Sequence, residues 1–127
     1  MAKVVLDASA FLAFLNGEPG ADKVAAVLGD AIISAVNLAE ACTKLALKSG
    51  SSDQATAVVE EAELEVVDFD RALAEATGAL AVLTRGRGLS LGDRACLALA
   101  RREEAIALTA DNAWRKVDLG VDIQYIR

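Results

Sequence analysis

The sequence contains no histidine. That absence excludes His-ligated zinc and every Ser-His or Cys-His nucleophile. Its 2 cysteines, Cys42 and Cys96, stand far apart in alanine-rich helical patterns. They form neither a disulfide framework nor a metal knuckle and read as small, reduced core residues of a cytoplasmic protein. No apolar run approaches the ~18 residues of a membrane span. No basic start followed by an apolar stretch and a small-residue cleavage site marks a secretory leader. Basic residues are also in deficit, 13 Lys and Arg against 19 Asp and Glu, for a net charge of −6. A protein that coats nucleic acid by charge alone would be basic. An acidic site neutralised by metal ions remains open.

What the chain has in excess is apolar surface. Hydrophobic residues make up 54 % of its 127 positions, and the mean hydropathy is +0.36. That length reads as one domain over 1–127 with a sizeable core. The surplus of apolar residues predicts a face left over for a partner.

The chain is organised around Val4-Val5-Leu6-Asp7-Ala8-Ser9. Val4 to Leu6 is a short apolar run of the kind buried on both faces of a sheet, and it ends in a carboxylate. Phe11 to Leu15 is apolar and helix-compatible, and it stops at the turn 16–20. The pattern then predicts a helix over 21–28, a strand over 31–34, and a helix from Leu38 to about Lys48 capped by Asn37. A helix to about Ala62, a strand over 64–67 and a long helix through Leu83 capped by Asp70 follow. A basic link at Arg85-Gly86-Arg87-Gly88 leads to a helix from Asp93 to Arg102, apolar all round over 95–100 and so buried. A strand over 105–108, a short helix around Trp114 and an edge-like strand over 121–126 complete the chain. Strands alternating with helices predict an α/β three-layer sandwich with a central parallel five-stranded sheet. In the order 3-2-1-4-5 the ligand crevice lies between strands one and four, whose ends carry Asp7 and Asp111.

Each acidic residue has an ordinary explanation. Asp7 and Asp111 can cap helices, Asp93 can close a capping box with Ser90, and Glu40 can sit solvated beside Lys44. Asp70 serves as a control: it also follows a strand, but one lying two places, roughly 10 Å, from strand one. Taken together, Asp7, Glu40, Asp93 and Asp111 converge on the predicted crevice. Carboxylates gathered without His or Cys make a hard oxygen site suited to Mg²⁺ or Mn²⁺. Such ions can activate water and clamp the oxygens of an in-line phosphoryl displacement. Ser9 and Thr109 add neutral oxygens beside Asp7 and Asp111. Phe11, Leu12, Phe14 and Leu15 cover more than one face of the first helix, which predicts a partner groove next to Asp7.

In these segments the chain resembles the PIN-domain nucleases, and among them the VapC toxins of toxin–antitoxin pairs. Val4 to Ser9 looks like the family's opening motif. Ser34 to Glu40 is similar to its second, Leu89 to Asp93 to its third, and Leu108-Thr109-Ala110-Asp111 to its fourth. The resemblance implies a PIN-like fold and Mg²⁺-dependent hydrolysis of RNA phosphodiesters, in a homodimer inhibited by a cognate antitoxin. It gives Asp7, Glu40, Asp93 and Asp111 as catalytic and metal-binding residues, with Ser9 and Thr109 supporting. Lys44, Lys48, Arg85, Arg87 and Arg94 are then candidates for the RNA backbone, and Phe11, Leu12, Phe14 and Leu15 for the antitoxin. With Trp114 the only Trp, no base preference is legible. Two rivals stand beside this reading: a catalytically inactive PIN-like domain that only binds partners, and a receiver-like phosphoacceptor domain. The latter resembles the chain in its strand-end Asp and Thr, but leaves Glu40 and Asp93 without a role.

Overall fold

The computed structural model describes residues 3–127. The elements, in order, are β1 (Val4–Leu6), α1 (Ala8–Asn16), α2 (Ala21–Val27), β2 (Ala31–Ser34), α3 (Ala35–Ser49), α4 (Ser52–Glu61) and β3 (Glu65–Val67). They continue with α5 (Arg71–Leu83), α6 (Leu91–Glu103), β4 (Ile106–Thr109), a 3₁₀ turn at Asn112–Lys116 and β5 (Ile123–Tyr125). The five strands form one sheet in the order β3-β2-β1-β4-β5, every pair parallel. The fold class and strand order read from the sequence are therefore the observed ones.

The layering follows from strand alternation. Successive side chains of a strand point to opposite faces. Val4 and Leu6 accordingly join Phe11, Val24, Ile33 and Leu108 in one apolar layer. Val5 joins Ile32, Leu73, Leu80, Leu97, Ala107 and Trp114 in the other. β1 and β2 are buried at every position, as central strands covered on both faces must be. β3 lies at one edge and exposes Glu65 and Val66, a charge on the edge that discourages pairing with another chain.

The helix starts differ from the sequence reading in one informative place. Ser34, not Asn37, caps α3: its Oγ accepts the Val36 N–H at 3.2 Å. The helix therefore begins three residues earlier, and Asn37 falls inside its first turn, buried at 1 % exposure. That displacement frees the Asn37 side chain for a tertiary role. Elsewhere Asp70 caps α5 by accepting from Leu73 N–H at 2.9 Å, as read. At the end of β5, Gly20 adopts φ +97°, and a Cβ there would lie 2.6 Å from the Ile126 carbonyl oxygen. Only glycine permits the turn before α2 to lie that close to the end of the last strand.

Among the described residues, no helix is long and apolar enough to cross a membrane.

Candidate active site

The register sets the site. Leu6 of β1 pairs with Leu108 of β4, so Asp7 and Thr109 emerge side by side where the two strands end. Asp7 is in extended conformation and caps α1. Its Oδ1 accepts the Ala10 N–H at 2.8 Å and the Ser9 hydroxyl at 2.7 Å, and its Oδ2 accepts the Thr109 hydroxyl at 2.6 Å. Both hydroxyls are then used a second time. Ser9 Oγ accepts the Ala110 N–H and Thr109 Oγ1 accepts the Asp111 N–H, each at 2.9 Å. One carboxylate and two hydroxyls thus tie the β1–α1 junction to the segment that leads into Asp111. Asp111 in turn caps the 3₁₀ turn through Ala113 N–H at 2.9 Å, and that turn is anchored by the fully buried Trp114.

The second half of the site is assembled around Asn37. Its Nδ2 donates to Glu40 Oε1 and to the carbonyl oxygen of Gly92, both at 3.0 Å. This clasp lays the Glu40 side chain across the first turn of α6. A Cβ built on Gly92 would overlap the Glu40 carboxylate, reaching within 2.7 Å of its Oε2. The next residue, Asp93, closes a capping box: Ser90 N–H donates to Asp93 Oδ2 at 2.9 Å and Asp93 N–H to Ser90 Oγ at 3.1 Å. The capping roles foreseen for Asp7, Asp93 and Asp111 are therefore all present. Each cap fixes its carboxylate at the start of its helix or turn.

The two halves are coupled electrostatically. Asp7 is only 4 % exposed. Burial pushes its carboxyl up from 3.8 to about 6; the bonds from Thr109, Ala10 and Ser9 oppose this, and the charge of Asp93 adds to it. The buried Cys96 thiol is raised well above its ordinary range, first by burial and then by the fields of Asp7, Asp93 and Glu40. One point in the core thus senses three of the four carboxylates, whereas Asp111 joins them through Thr109. Arg94 brings no compensation: its Nη1 donates to the Thr77 carbonyl of α5 at 3.0 Å.

The donor set fits a hard divalent cation in its chemistry. It is all oxygen, the one nearby thiol is held protonated, and the buried Asn37 Oδ1 has no partner. As they stand, no three acidic, His or Cys side chains among the described residues are close enough to hold one ion together. Glu40 is held by Asn37, and Asp93 and Asp111 by their caps, so a shared ion requires these side chains to turn from their present partners.

The other predicted site residues divide. Lys44 and Lys48 line a cleft that opens at Ser9, while Arg85 and Arg87 are exposed in the link between α5 and α6. Arg94, expected on RNA, is turned onto α5. Of the four residues assigned to a partner, Phe11 is fully buried and Leu12 is 7 % exposed. Both belong to the monomer's core, which corrects that assignment. Phe14 and Leu15 remain half-buried and line a groove of about 310 Å³ with Val58, Glu61 and Ala62 of the α4 region. Asn37 and Gly92 were missed as site residues. The available signal was the i, i+3 spacing of Asn37 and Glu40, and a glycine directly before Asp93.

Solved structures share this architecture. The DNA-bound VapBC of Salmonella typhimurium superposes with a TM-score of 0.79 at 22 % identity, covering 100 % of both chains. VapC20 of Mycobacterium tuberculosis, described as a sarcin-ricin loop cleaving toxin, gives 0.72 at 21 % identity over 87 % of this chain and 91 % of its own. The toxin–antitoxin complex of Klebsiella pneumoniae gives 0.72 at 17 % identity over 98 % of each. No curated protein is similar enough to match. At these identities the structures establish a shared fold. The family model described as PIN domain matches residues 4–119, from the first residue of β1 to beyond Asp111. A match over nearly the whole chain, on a parallel sheet whose central strands β1 and β4 lead into Asp7 and Asp111, shows that the chain belongs to the PIN domain family.

Proposed function

We propose that the chain is a divalent-metal-dependent endoribonuclease of the VapC type, the toxin of a toxin–antitoxin pair. Asp7, Glu40, Asp93 and Asp111 serve as its acidic site. The reading places residues 1–127 in a single nuclease domain that acts in the cytoplasm as a homodimer and is inhibited by a cognate antitoxin. The observation that carries it is the buried Asp7 carboxylate. It lies in the field of another carboxylate, at a crevice to which Arg94, the nearest cation in sequence, makes no contribution. Buried charge of one sign calls for a counter-ion. A bound Mg²⁺ or Mn²⁺ would supply that charge, neutralise phosphate and acidify a bound water.

This chain's own residues do the positioning. Ser9 and Thr109 orient Asp7 from both sides, so its oxygens are preset before any ligand arrives. Asn37 holds Glu40 against α6, and the capping box holds Asp93 on the same turn. The buried floor under Asp7 limits access of bulk water and strengthens every charge interaction above it. For the antitoxin, the half-buried Phe14 and Leu15 beside Glu61 suit an amphipathic helix that carries a basic residue.

The test is cleavage of a structured RNA with Mg²⁺ or Mn²⁺ and with EDTA. Cleavage should require the ion and vanish in Asp7→Asn, a variant that keeps the shape and the cap acceptor. Metal-independent cleavage, or an active Asp7→Asn, would refute the assignment. Binding without any cleavage at millimolar Mn²⁺ would favour the inactive, partner-binding alternative.

A further inference from the structure

Beside Ser9 lies a cleft of about 290 Å³, walled by Ser9, Leu12 and Asn16 of α1 and by Lys44, Leu45 and Lys48 of α3, with Glu18 and Arg127 at its rim. The spacing of its α3 wall is informative. Glu40, Lys44 and Lys48 recur every four residues and so share one ridge of the helix. Along that ridge the charge changes sign once, from the carboxylate at the acidic site to two ammonium groups leading away from it. Eight residues of helix span about 12 Å. On a chain of net charge −6, a cationic strip that begins at the acidic site is an exception needing a cause.

The rim shows which charges are free. Glu18 Oε2 accepts from Asn16 Nδ2 at 3.2 Å, and its Oε1 lies 3.4 Å from Arg127 Nη2, while Arg127 Nη1 donates to the Pro19 carbonyl at 2.8 Å. Glu18 is thereby engaged with Asn16 and Arg127. Among the described residues, neither Lys44 nor Lys48 is in an ion pair. Arg127 is brought there by the pairing of Ile126 N–H with the Thr109 carbonyl at 3.0 Å, so the rim and the acidic site share one strand end.

We infer that the Lys44–Lys48 ridge, with Arg127 at its rim, is the track on which a single-stranded nucleic-acid backbone lies on one side of the scissile phosphate. The strip is then a positioning device: it holds the phosphates flanking the reacting one, and the carboxylates act on that one alone. This rests on the nuclease reading of the site. An acidic peptide would also meet two lysines, but it has no reason to be aligned with Asp7; a polyanion being cut there does.

The experiment measures binding of the full chain to a fluorescein-labelled single-stranded oligouridylate in EDTA, where nothing is cut, as a function of salt. Lys44→Gln/Lys48→Gln should raise Kd at low salt at least about tenfold, and should flatten the slope of log Kd against log salt by about 1.4, two phosphate contacts on a single strand. Lys3→Gln/Arg102→Gln removes the same charge at the opposite end of the sheet, where both residues pair with Glu103, and should leave Kd within about twofold of the parent. Equal weakening in the two double variants, or none in the first, overturns the track. So does loss of affinity for oligoglutamate with oligouridylate unaffected, which would make the strip a seat for an acidic polypeptide. Binding lost as expected in a protein that cleaves no RNA with Mn²⁺ would uphold the track and refute only the nuclease reading.

Discussion

The carboxylate of Glu40 occupies the space in which a side chain on Gly92 would begin. Residues 52 positions apart are thus packed so tightly that the identity of one sets the position of the other. Gly92→Ala should leave stability unchanged or raise it by up to about 1 kcal/mol, since alanine is the better helix former. The displaced Glu40 should nevertheless cost at least about tenfold in RNA cleavage. Thermal melts and initial rates separate the two effects; full activity would show that Glu40 tolerates displacement.

Removing the clasp should hurt in both respects. Asn37→Ala leaves the Gly92 carbonyl without its side-chain donor and releases Glu40. The lost side-chain hydrogen bonds should cost about 0.5–1.5 kcal/mol, measured by urea denaturation, with activity falling further than in Gly92→Ala. A stability loss with unchanged cleavage would make Asn37 purely structural.

Asp7 makes stability pH-dependent with a definite sign. Its carboxyl titrates near 6 in the folded chain against 3.8 as the ordinary value, so the folded state holds the extra proton between them. Stability is therefore greatest below about pH 4 as far as this group is concerned, and about 3 kcal/mol is lost as pH rises through 6. Asp7→Asn should remove that loss, so the difference in Tm between variant and parent in EDTA should widen from acid to neutral pH. Mn²⁺ at neutral pH should recover stability in the parent only. Parallel pH profiles for the two proteins would contradict the assignment.

Asp70 caps α5 through Leu73 in the same way that Asp7 caps α1 through Ala10, but at the end of an edge strand. Asp70→Asn should keep cleavage within about twofold while Asp7→Asn abolishes it, because asparagine caps nearly as well. Equal losses would mean that the choice of Asp7 over Asp70 as a site carboxylate is wrong.

Phe14→Asp and Leu15→Asp should leave the protein folded and active but resistant to its antitoxin, because both side chains are only half-buried at the α1–α4 groove. Phe11→Asp should unfold it, since that ring has no exposure at all. Circular dichroism and inhibition assays report the two outcomes. Intact inhibition in both folded variants would move the antitoxin elsewhere.

The sequence by itself determined the order of strands and helices and the end of β1, while β4 runs one residue beyond its expected end, to Thr109. Short apolar runs closed by carboxylates at Asp7 and Asp111 have few other readings, and parallel alternation leaves few topologies. It also separated Asp70 from Asp7, because strand order converts into distance. Only the tertiary structure decided who meets whom across elements. Periodicity tells which face of a helix is buried, not which residue of another helix lies opposite. Hence Asn37, read locally as a cap, proved to be the clasp between α3 and α6 once Ser34 took the capping role. Arg94 went to the Thr77 carbonyl, Phe11 and Leu12 went inside while Phe14 and Leu15 stayed at the groove, and Arg127 reached the rim of a cleft begun by Ser9. Each of these depends on the relative placement of elements distant in sequence, which many weak packing contacts set together and no local pattern encodes.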